Sequence, residues 1–411
     1  MTAAGCSSTT FEAAEVKGAP AMVDDAGQPR LWVLSKQEER RQIAVGGVSR
    51  RTSTDWRTDT FFHFSVQAID PISTKTVWKQ RLRTFGDDEA TGSNPSRVIG
   101  SAVSARLLGQ EGPRVWLLIG DEPMVVSAHD GQLLADAAGL EARNPTLKGL
   151  LPSEAKHYGF DDGLVLMSAD ARQFVVRGDK LQAQPYTLPP PRNPWPKGQM
   201  LADGTEEMVP MPPPLGEPPP RQAMLGSEWI GLYSEKEAAE IARDESGKTL
   251  RYPYSVSDEG SLARRTFWRA KIVPFKDRDN TFQRLTELKP IPGAPTFLKG
   301  RFINEPDSDR PMKLEGTPGL LVIHSTRMDA AGRVMLARLD ANLKKVWRTE
   351  LPFSETNLLR NITKWRLPGH LVAVGEKEYV EAGVTHREPW IASVALDTGA
   401  MQVRKLTVEE D

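Results

Sequence analysis

Two stretches far apart in the chain repeat one pattern, and this repeat restricts the fold more than any other feature. Residues 66–82 read VQAIDPISTKTVWKQRL and residues 335–351 read MLARLDANLKKVWRTEL. In each, an alternating apolar run leads to an aspartate, a short polar turn follows, and Lys-x-Val-Trp enters a second run. Period-two apolar runs on both sides of a polar turn predict a β-hairpin. The chain therefore contains at least two copies of one antiparallel unit.

Weaker copies of the same pattern occur elsewhere in the chain. Together with the first two they place turn aspartates at Asp70, Asp130, Asp179, Asp277, Asp340 and Asp397. Aspartate suits these turns because its carboxylate accepts backbone N–H groups. Most of the intervals are roughly 50–60 residues, the length of one four-stranded unit with its connections. We therefore predict an all-β fold, a β-propeller of about six four-stranded blades, with seven blades as the alternative.

Two segments interrupt the predicted strands. Residues 185–220 are rich in proline, which has no N–H to give to a sheet, so we expect an extended polyproline loop there. Residues 234–246 predict a short helical insertion, because Ser234 and Glu237 have the spacing of a capping box. With these two insertions, we expect residues 29–411 to form a single propeller domain.

The hairpin copies resemble the repeat of quinoprotein-type β-propellers, whose outer strands read roughly Ala-Leu-Asp, two residues, Thr-Gly and then tryptophan. The resemblance is carried by Ala68-Ile69-Asp70 with Trp78, by Leu339-Asp340 with Trp347, and by residues 395–399 (ALDTG). It implies that both tryptophans pack between blades. Propellers of this type include a bacterial lipoprotein scaffold of outer-membrane protein assembly. The quinone enzymes of the family hold a cofactor and calcium, often with adjacent cysteines, and with one cysteine present we expect no cofactor.

The single cysteine, Cys6, lies in the opening stretch MTAAGCSSTT. Residues 3–6 (AAGC) resemble the lipobox of bacterial lipoproteins, although alanine stands where leucine is usual. The resemblance implies lipidation of Cys6, a signal peptide encoded upstream of Met1, and residues 1–28 as a tail between anchor and domain. Ser7 after the cysteine favours the outer membrane, with the protein facing the periplasm. The alternative is a dispensable thiol in a disordered tail.

No motif in the chain indicates a catalytic, cofactor or metal site. Residues 242–249 (ARDESGKT) are similar to a phosphate-binding loop, but Ala242 replaces the first glycine that such a loop requires. Residues 277–280 (DRDN) lack the glycine and the final glutamate of a calcium loop. The six histidines show no zinc-binding spacing. If propeller loops bring histidines together, His129 and His324 are the first candidates.

Composition limits the partners. The 53 lysines and arginines nearly balance the 54 aspartates and glutamates, so no global field attracts nucleic acid. No apolar run reaches the ~18 residues of a membrane span, so we expect membrane contact through the lipid anchor only.

We expect an envelope-anchored, non-catalytic binding or scaffold propeller with a protein or glycan partner. Trp195, inside the proline-rich segment, is a candidate anchor for that partner, because polyproline segments bind aromatic grooves and tryptophans are frequent hot spots. The alternative is a stiff exposed loop that covers one face. A rival hypothesis is an envelope enzyme, either a hydrolase or lyase with a histidine–carboxylate site or a degenerate quinoprotein. Its site would lie in the axial funnel, where single residues from separate blades meet.

Overall fold

Alternating apolar residues form strands along most of the chain, and the protein is all-β as predicted. The computed structural model describes residues 8–45, 55–86, 103–187, 222–225, 228–243, 264–277, 280–303, 312, 314, 318–329, 331–354 and 362–407. Within these residues the strands form antiparallel sheets, accompanied by two α-helices. The chain makes two compact units. Unit 1 comprises residues 1–189 and 405–411, and unit 2 comprises residues 190–404.

The first sheet of unit 1 is built around a long hairpin. Its strands are β1 (Ser8–Phe11), β2 (Glu15–Asp25), β3 (Gln28–Val45), β4 (Asp55–Ile69) and β5 (Thr76–Gly86). The order is β1-β3-β4-β5, and β2 pairs with the first half of β3. The sheet thus begins inside residues 1–28, the predicted tail. A register shift between Lys17 and Ala21 breaks the alternation of β2, which hides this strand from a period-two reading of the sequence.

Two four-stranded meanders complete unit 1. The second sheet contains β6 (Ala105–Glu111), β7 (Arg114–Ile119), β8 (Glu122–Ser127) and β9 (Leu133–Ala135). The third contains β10 (Tyr158–Phe160), β11 (Leu164–Met167), β12 (Gln173–Arg177) and β13 (Gln182–Pro185). The connection between them holds α1 (Ala137–Arg143) and the 3₁₀ turns Pro145–Leu147 and Ala155–His157.

Strand β7 shows how the sheets of unit 1 pack. Val115, Leu117 and Ile119 belong to a core shared with the first sheet. Trp116 and Leu118 belong to a separate core shared with the third sheet. Successive side chains of a strand point to opposite faces, so the second sheet is covered on both faces. Burial of each such side chain stabilises the fold by about 1.5–3 kcal/mol.

Unit 2 repeats the meander. Its largest sheet contains β14 (Gln222–Leu225), β15 (Glu228–Tyr233), β16 (Arg264–Asp277), β17 (Asn280–Pro290), β18 (Phe297–Phe302), β19 (Gly319–Ser325), β20 (Arg333–Asp340) and β21 (Lys345–Ser354). This sheet is two sets of four consecutive strands, joined where β16 pairs with β18 over two residue pairs. The last sheet contains β22 (Thr363–Leu367), β23 (His370–Glu381), β24 (Val384–Ala395) and β25 (Met401–Lys405).

Strand β19 has the same two-faced burial as β7. Leu320 and Val322 lie in a core shared with β15 and β16. Leu321 and Ile323 lie in a second core shared with the last sheet. The inner strands of unit 1 and unit 2 therefore follow one packing rule.

The predicted hairpins are confirmed. Each of the six turn aspartates lies where one strand ends and its antiparallel neighbour begins. Asp70 Oδ1 accepts the backbone N–H groups of Ile72 at 3.0 Å and Ser73 at 2.8 Å. Asp340 Oδ1 accepts the N–H of Lys344 at 2.8 Å. The carboxylates thus close the turns as expected from their chemistry.

The predicted helix is also confirmed as α2 (Glu235–Arg243). Its capping box is complete. The Ser234 N–H donates to Glu237 Oε2 at 2.8 Å, and the Glu237 N–H donates to Ser234 Oγ at 3.1 Å. Arg265 of β16 is fully buried and donates to Glu237 Oε1 at 3.0 Å, which fixes the first turn of the helix to the sheet.

The segment after β25 packs on the first sheet of unit 1. Leu406 is buried, and its carbonyl accepts a hydrogen bond from Gln67 Nε2 of β4 at 3.1 Å. The end of the chain is therefore held by a strand near its beginning.

Candidate functional site

The two residues that the sequence singles out, Cys6 and Trp195, lie outside the described residues. So do residues 188–221, which hold most of the proline-rich segment, and residues 244–250, which hold most of the ARDESGKT stretch. Their proposed roles stay predictions. The described part of the chain offers other candidates.

The predicted packing of the two repeat tryptophans is confirmed. Trp78 of β5 lies against Gly131 in the turn between β8 and β9, and Trp347 of β21 lies against Gly399 in the turn between β24 and β25. A Cβ placed on Gly131 would come within 2.4 Å of the Trp78 ring, and one on Gly399 within 2.7 Å of the Trp347 ring. Each tryptophan thus joins its sheet to the next sheet of the same unit. Their role is structural.

A cleft of about 520 Å³ opens on unit 1 beside β5, β8 and α1. This volume is within the ~300–1,000 Å³ range of ligand sites. Its apolar lining includes Leu82, Pro123, Met124, Leu133, Leu151 and Pro152. Its charged lining consists of Arg83, Asp121, Glu122, Asp136 and Glu141. The cleft therefore combines an apolar surface with an excess of negative charge, and we call it the acidic cleft.

Three of the four carboxylates in the acidic cleft are held by backbone N–H groups. Asp121 Oδ1 accepts from Ala155 at 2.7 Å, Asp136 Oδ1 caps α1 through Gly139 at 2.8 Å, and Glu141 Oε1 accepts from Gly149 at 2.9 Å. The other oxygen of each makes no hydrogen bond within the described residues. These side chains are fixed in place while keeping an acceptor for a ligand.

The fourth carboxylate, Glu122, is neutralised within the cleft. Arg83 Nη2 donates to Glu122 Oε1 at 2.9 Å, and Arg83 Nη1 also contacts Oε2. This two-pronged pair is the strong form of the arginine–carboxylate interaction. The remaining charge of the cleft is therefore that of Asp121, Asp136 and Glu141.

The pKa of Tyr158 is affected by the charges of the cleft. Its ring is buried, and its hydroxyl donates to the Pro152 carbonyl at 3.0 Å. Burial raises the pKa of the Tyr158 phenol, and the charges of Asp121, Glu122 and Glu141 raise it further. Both effects disfavour a second anion at this position. Tyr158 is thus a neutral hydroxyl in the cleft wall.

A second polar cluster lies inside the first sheet. His63 of β4 and Glu39 of β3 are both buried, and His63 Nε2 lies 2.6 Å from Glu39 Oε2. His63 Nδ1 lies 2.9 Å from the hydroxyl of Thr84, which is an exposed residue of β5. With the Nε2 proton donated to Glu39, Nδ1 accepts the Thr84 hydroxyl, and every polar atom of this row is satisfied.

Arg41 completes the cluster. Its Nε donates to Glu39 Oε1 at 2.5 Å and its Nη2 to Oε2 at 3.1 Å. The Arg41 hydrogen bond, followed by that of His63, lowers the pKa of the Glu39 carboxyl against the opposing effect of burial. The row Thr84–His63–Glu39 has the connectivity of a nucleophile, a base and an acid. In it, Glu39 is shared between the imidazole and a guanidinium.

The two histidines that the sequence puts first, His129 and His324, belong to different units and have different surroundings. His129 is exposed and lies 3.1 Å from Asp25 Oδ1. His324 of β19 is buried against the Phe297 ring, with Nδ1 at 3.0 Å from the Ser325 carbonyl oxygen. Its Nε2 has no hydrogen-bond partner within the described residues. His324 is a core residue, and His129 is a surface residue next to Asp25 and Asp130.

The sequence reading did not identify the residues of the acidic cleft or His63. Asp121, Asp136 and Glu141 belong to a turn and a short helix, where acidic residues ordinarily face solvent. His63 carried a usable signal, since it interrupts the apolar run Phe61-Phe62-His63-Phe64 just before the predicted hairpin of residues 66–82.

Among the residues that the structure describes, no group of three or more His, Cys, Asp or Glu side chains is placed to hold a metal ion. No helix in the described ranges has the length and hydropathy needed to cross a membrane. When the chain is compared with protein-family models and with curated proteins, no family model matches and no curated protein matches significantly.

Proposed function

We propose that the chain is a six-bladed β-propeller of the quinoprotein-like type that serves as a non-catalytic binding or scaffold module. A seven-bladed ring is the alternative. The partner would be a protein or a glycan of the bacterial envelope.

The two-faced burial of the inner strands carries this proposal. In a β-sandwich each sheet covers one face and leaves the other to solvent. In a propeller, sheets that follow one another in the chain stack face to face, and every sheet is covered twice. The alternation in β7 and in β19 between two separate cores fits the second arrangement.

The acidic cleft favours binding over catalysis. The carboxylates of the acidic cleft already accept backbone N–H groups or pair with Arg83, so they are fixed charges rather than proton carriers. A rigid site with fixed charges is suited to recognising a ligand.

The envelope location rests on Cys6 and its resemblance to a lipidated cysteine. Its test is fatty-acid labelling of the protein expressed from its own reading frame with the codons upstream of Met1. We expect labelled wild-type protein and unlabelled Cys6→Ser protein. An unlabelled wild-type protein that stays soluble in the cytoplasm would remove the envelope from the proposal.

The binding role is tested by photo-crosslinking in cells, with the crosslinker placed in turn on surface positions of unit 1 and unit 2. We expect one defined protein or glycan adduct, confined to neighbouring positions. Equal, diffuse labelling from all positions would contradict a specific binding module.

A second candidate function is that of an envelope hydrolase, and the row Thr84–His63–Glu39 favours it. In such a reaction the Thr84 hydroxyl proton would pass to His63 Nδ1 while Oγ attacks an ester carbonyl, and His63 would return the proton to the leaving alkoxide. A water molecule deprotonated by His63 would then attack the acyl–Thr84 ester, releasing the carboxylic acid and restoring the Thr84 hydroxyl. Hydrolysis of p-nitrophenyl acetate decides between the two. The hydrolase predicts a rate that falls to background in both Thr84→Val and His63→Gln, and the binding module predicts equal rates in all three proteins.

A further inference from the structure

We propose that the acidic cleft binds an extended segment of a partner protein in which a lysine or arginine lies next to apolar side chains. This inference deepens the proposed binding function and rests on it. It names the chemistry of the partner and the surface of unit 1 that recognises it.

Three fixed carboxylates determine that the ligand of the cleft is positively charged. Asp121, Asp136 and Glu141 each use one oxygen for a backbone N–H group and keep the second oxygen without a hydrogen bond within the described residues. Among the described residues that line the cleft, the one cation is Arg83, and it is paired with Glu122. A cationic group therefore meets uncompensated acceptors here, and an anionic group meets repulsion from all three.

The buried wall of the cleft supports the same sign. Burial raises the pKa of Tyr158, and the charges of Asp121, Glu122 and Glu141 raise it further. Burial disfavours any charge, and the carboxylate contribution has the sign of a negative potential in the cleft. The Tyr158 hydroxyl is already donated to Pro152. The phenol therefore does not compete with a ligand for the carboxylates.

The apolar lining favours a ligand that carries apolar side chains as well as a positive charge. Leu82, Met124 and Leu151 line the cleft together with two prolines. Leu133 also lines it and is 45% exposed, so the apolar surface continues out of the cavity. A peptide can fill a cavity of this size with a basic side chain and lay flanking apolar residues on Leu133. A simple polyamine offers the charge without those side chains.

The acidic residues allow a variant that changes charge but not shape. In the triple variant Asp121→Asn, Asp136→Asn and Glu141→Gln, each amide keeps the oxygen that accepts the backbone N–H group. Asparagine is also as good a helix N-cap as aspartate. The matched control is Asp162→Asn, Asp170→Asn and Asp179→Asn, three exposed residues of unit 1 outside the cleft. Both triples change the net charge by the same amount.

The experiment is calorimetric titration of the full chain with acetyl-Leu-Arg-Leu-amide, with the Gln and Glu versions of this peptide, and with spermidine. We expect the Arg peptide to bind about tenfold or more tightly than the Gln peptide, and the Glu peptide not to bind. The cleft triple should lose about tenfold or more in affinity for the Arg peptide, while the control triple keeps wild-type affinity. Binding should weaken as salt is raised.

Three outcomes would overturn the inference: no binding of the Arg peptide to folded wild-type protein, equal weakening by both triples, or spermidine binding as tightly as the Arg peptide. Failure here is distinguishable from failure of the proposed function. If the Arg peptide does not bind while photo-crosslinking elsewhere on the chain gives a defined adduct, the cleft assignment is wrong and the binding role stands. If crosslinking is diffuse and ester hydrolysis depends on His63, the binding role itself is wrong.

Discussion

Unit 1 and unit 2 share one packing contact but differ in the hydrogen bonds of their buried side chains. In both, a tryptophan of one sheet lies against a glycine in a turn of the next sheet. The indole N–H of Trp347 donates to the Leu396 carbonyl at 3.0 Å, whereas that of Trp78 has no partner within the described residues. Both units therefore share the contact between a tryptophan ring and a glycine, but only the Trp347 contact includes an indole hydrogen bond within the described residues.

For the buried histidines, it is the one in unit 1 that has the more complete set of hydrogen bonds. His63 in unit 1 has both ring nitrogens bonded, and His324 in unit 2 leaves Nε2 without a partner in the described ranges. The contact between a tryptophan ring and a turn glycine is therefore the feature that repeats, whereas the hydrogen bonds of the buried polar groups differ between the units. The repeated sequence pattern predicts the ring–glycine contact but not these hydrogen bonds.

The largest expected effect comes from removing the space that the glycines provide. Gly131→Ala and Gly399→Ala add a methyl group against a tryptophan ring at a positive φ, 71° and 74° respectively. Overpacking and left-handed strain together should cost about 2–5 kcal/mol, measured as a lower urea midpoint of unfolding.

Gly178 and Gly383 are the matched controls, one in each unit. Both have positive φ, and an added Cβ meets nothing within 4 Å. Gly178→Ala and Gly383→Ala should cost about 1–2 kcal/mol, the strain alone. If all four variants lose the same stability, the tryptophan contacts do not join the sheets.

The next effect is the pH dependence caused by His324. Burial, with a smaller contribution from Arg348, lowers its pKa from 6.5 to about 4. Below about pH 6.5 the unfolded chain binds a proton that the folded chain does not, so stability falls as pH drops toward 4. Between pH 7 and pH 5 this group should remove about 2 kcal/mol of unfolding free energy.

His324→Phe should reduce that loss by the same amount, compared in urea unfolding at the two pH values. The control is His129→Gln, which removes an exposed histidine and should keep the wild-type pH dependence. An unchanged pH dependence in His324→Phe would show that His324 takes up its proton in the folded protein as readily as in the unfolded one.

The smallest effect separates the two tryptophans. Trp347→Phe loses a hydrogen bond and leaves the Leu396 carbonyl without that donor, whereas Trp78→Phe removes a buried donor that has no described partner. Trp347→Phe should therefore be about 1 kcal/mol more destabilising than Trp78→Phe in urea unfolding. Equal losses would mean that ring size alone sets the stability of both contacts.

Much of the fold is predictable from sequence because local chemistry and tertiary structure agree. Asp70 and Asp340 combine turn chemistry with alternating strands, and Ser234 with Glu237 makes a cap that depends on nearby residues only. The N-terminal strand β2 is not predictable in this way, because its register shift removes the alternation.

The candidate site is less accessible to sequence reasoning than the fold. Asp121, Asp136 and Glu141 come together only when α1 folds beside β8. In the sequence, none of the three differs from an acidic residue exposed on the surface. Thr84, His63 and Glu39 meet because β3, β4 and β5 pair in one register. Register depends on the whole sheet, so spacing along the chain does not reveal the contact.

The central claim, that each inner sheet is covered on both faces, is tested most directly by cysteine scanning. Cys6 is the only cysteine in the chain, so Cys6→Ser gives a background without thiols. Single cysteines are then placed at each position of Val115–Ile119 in β7 and Leu336–Leu339 in β20, and maleimide labelling of the native protein is timed. If both faces are covered, labelling should be slow at every position in both strands. Fast and slow labelling at alternate positions would mean that one face is open to solvent, and the propeller would be wrong.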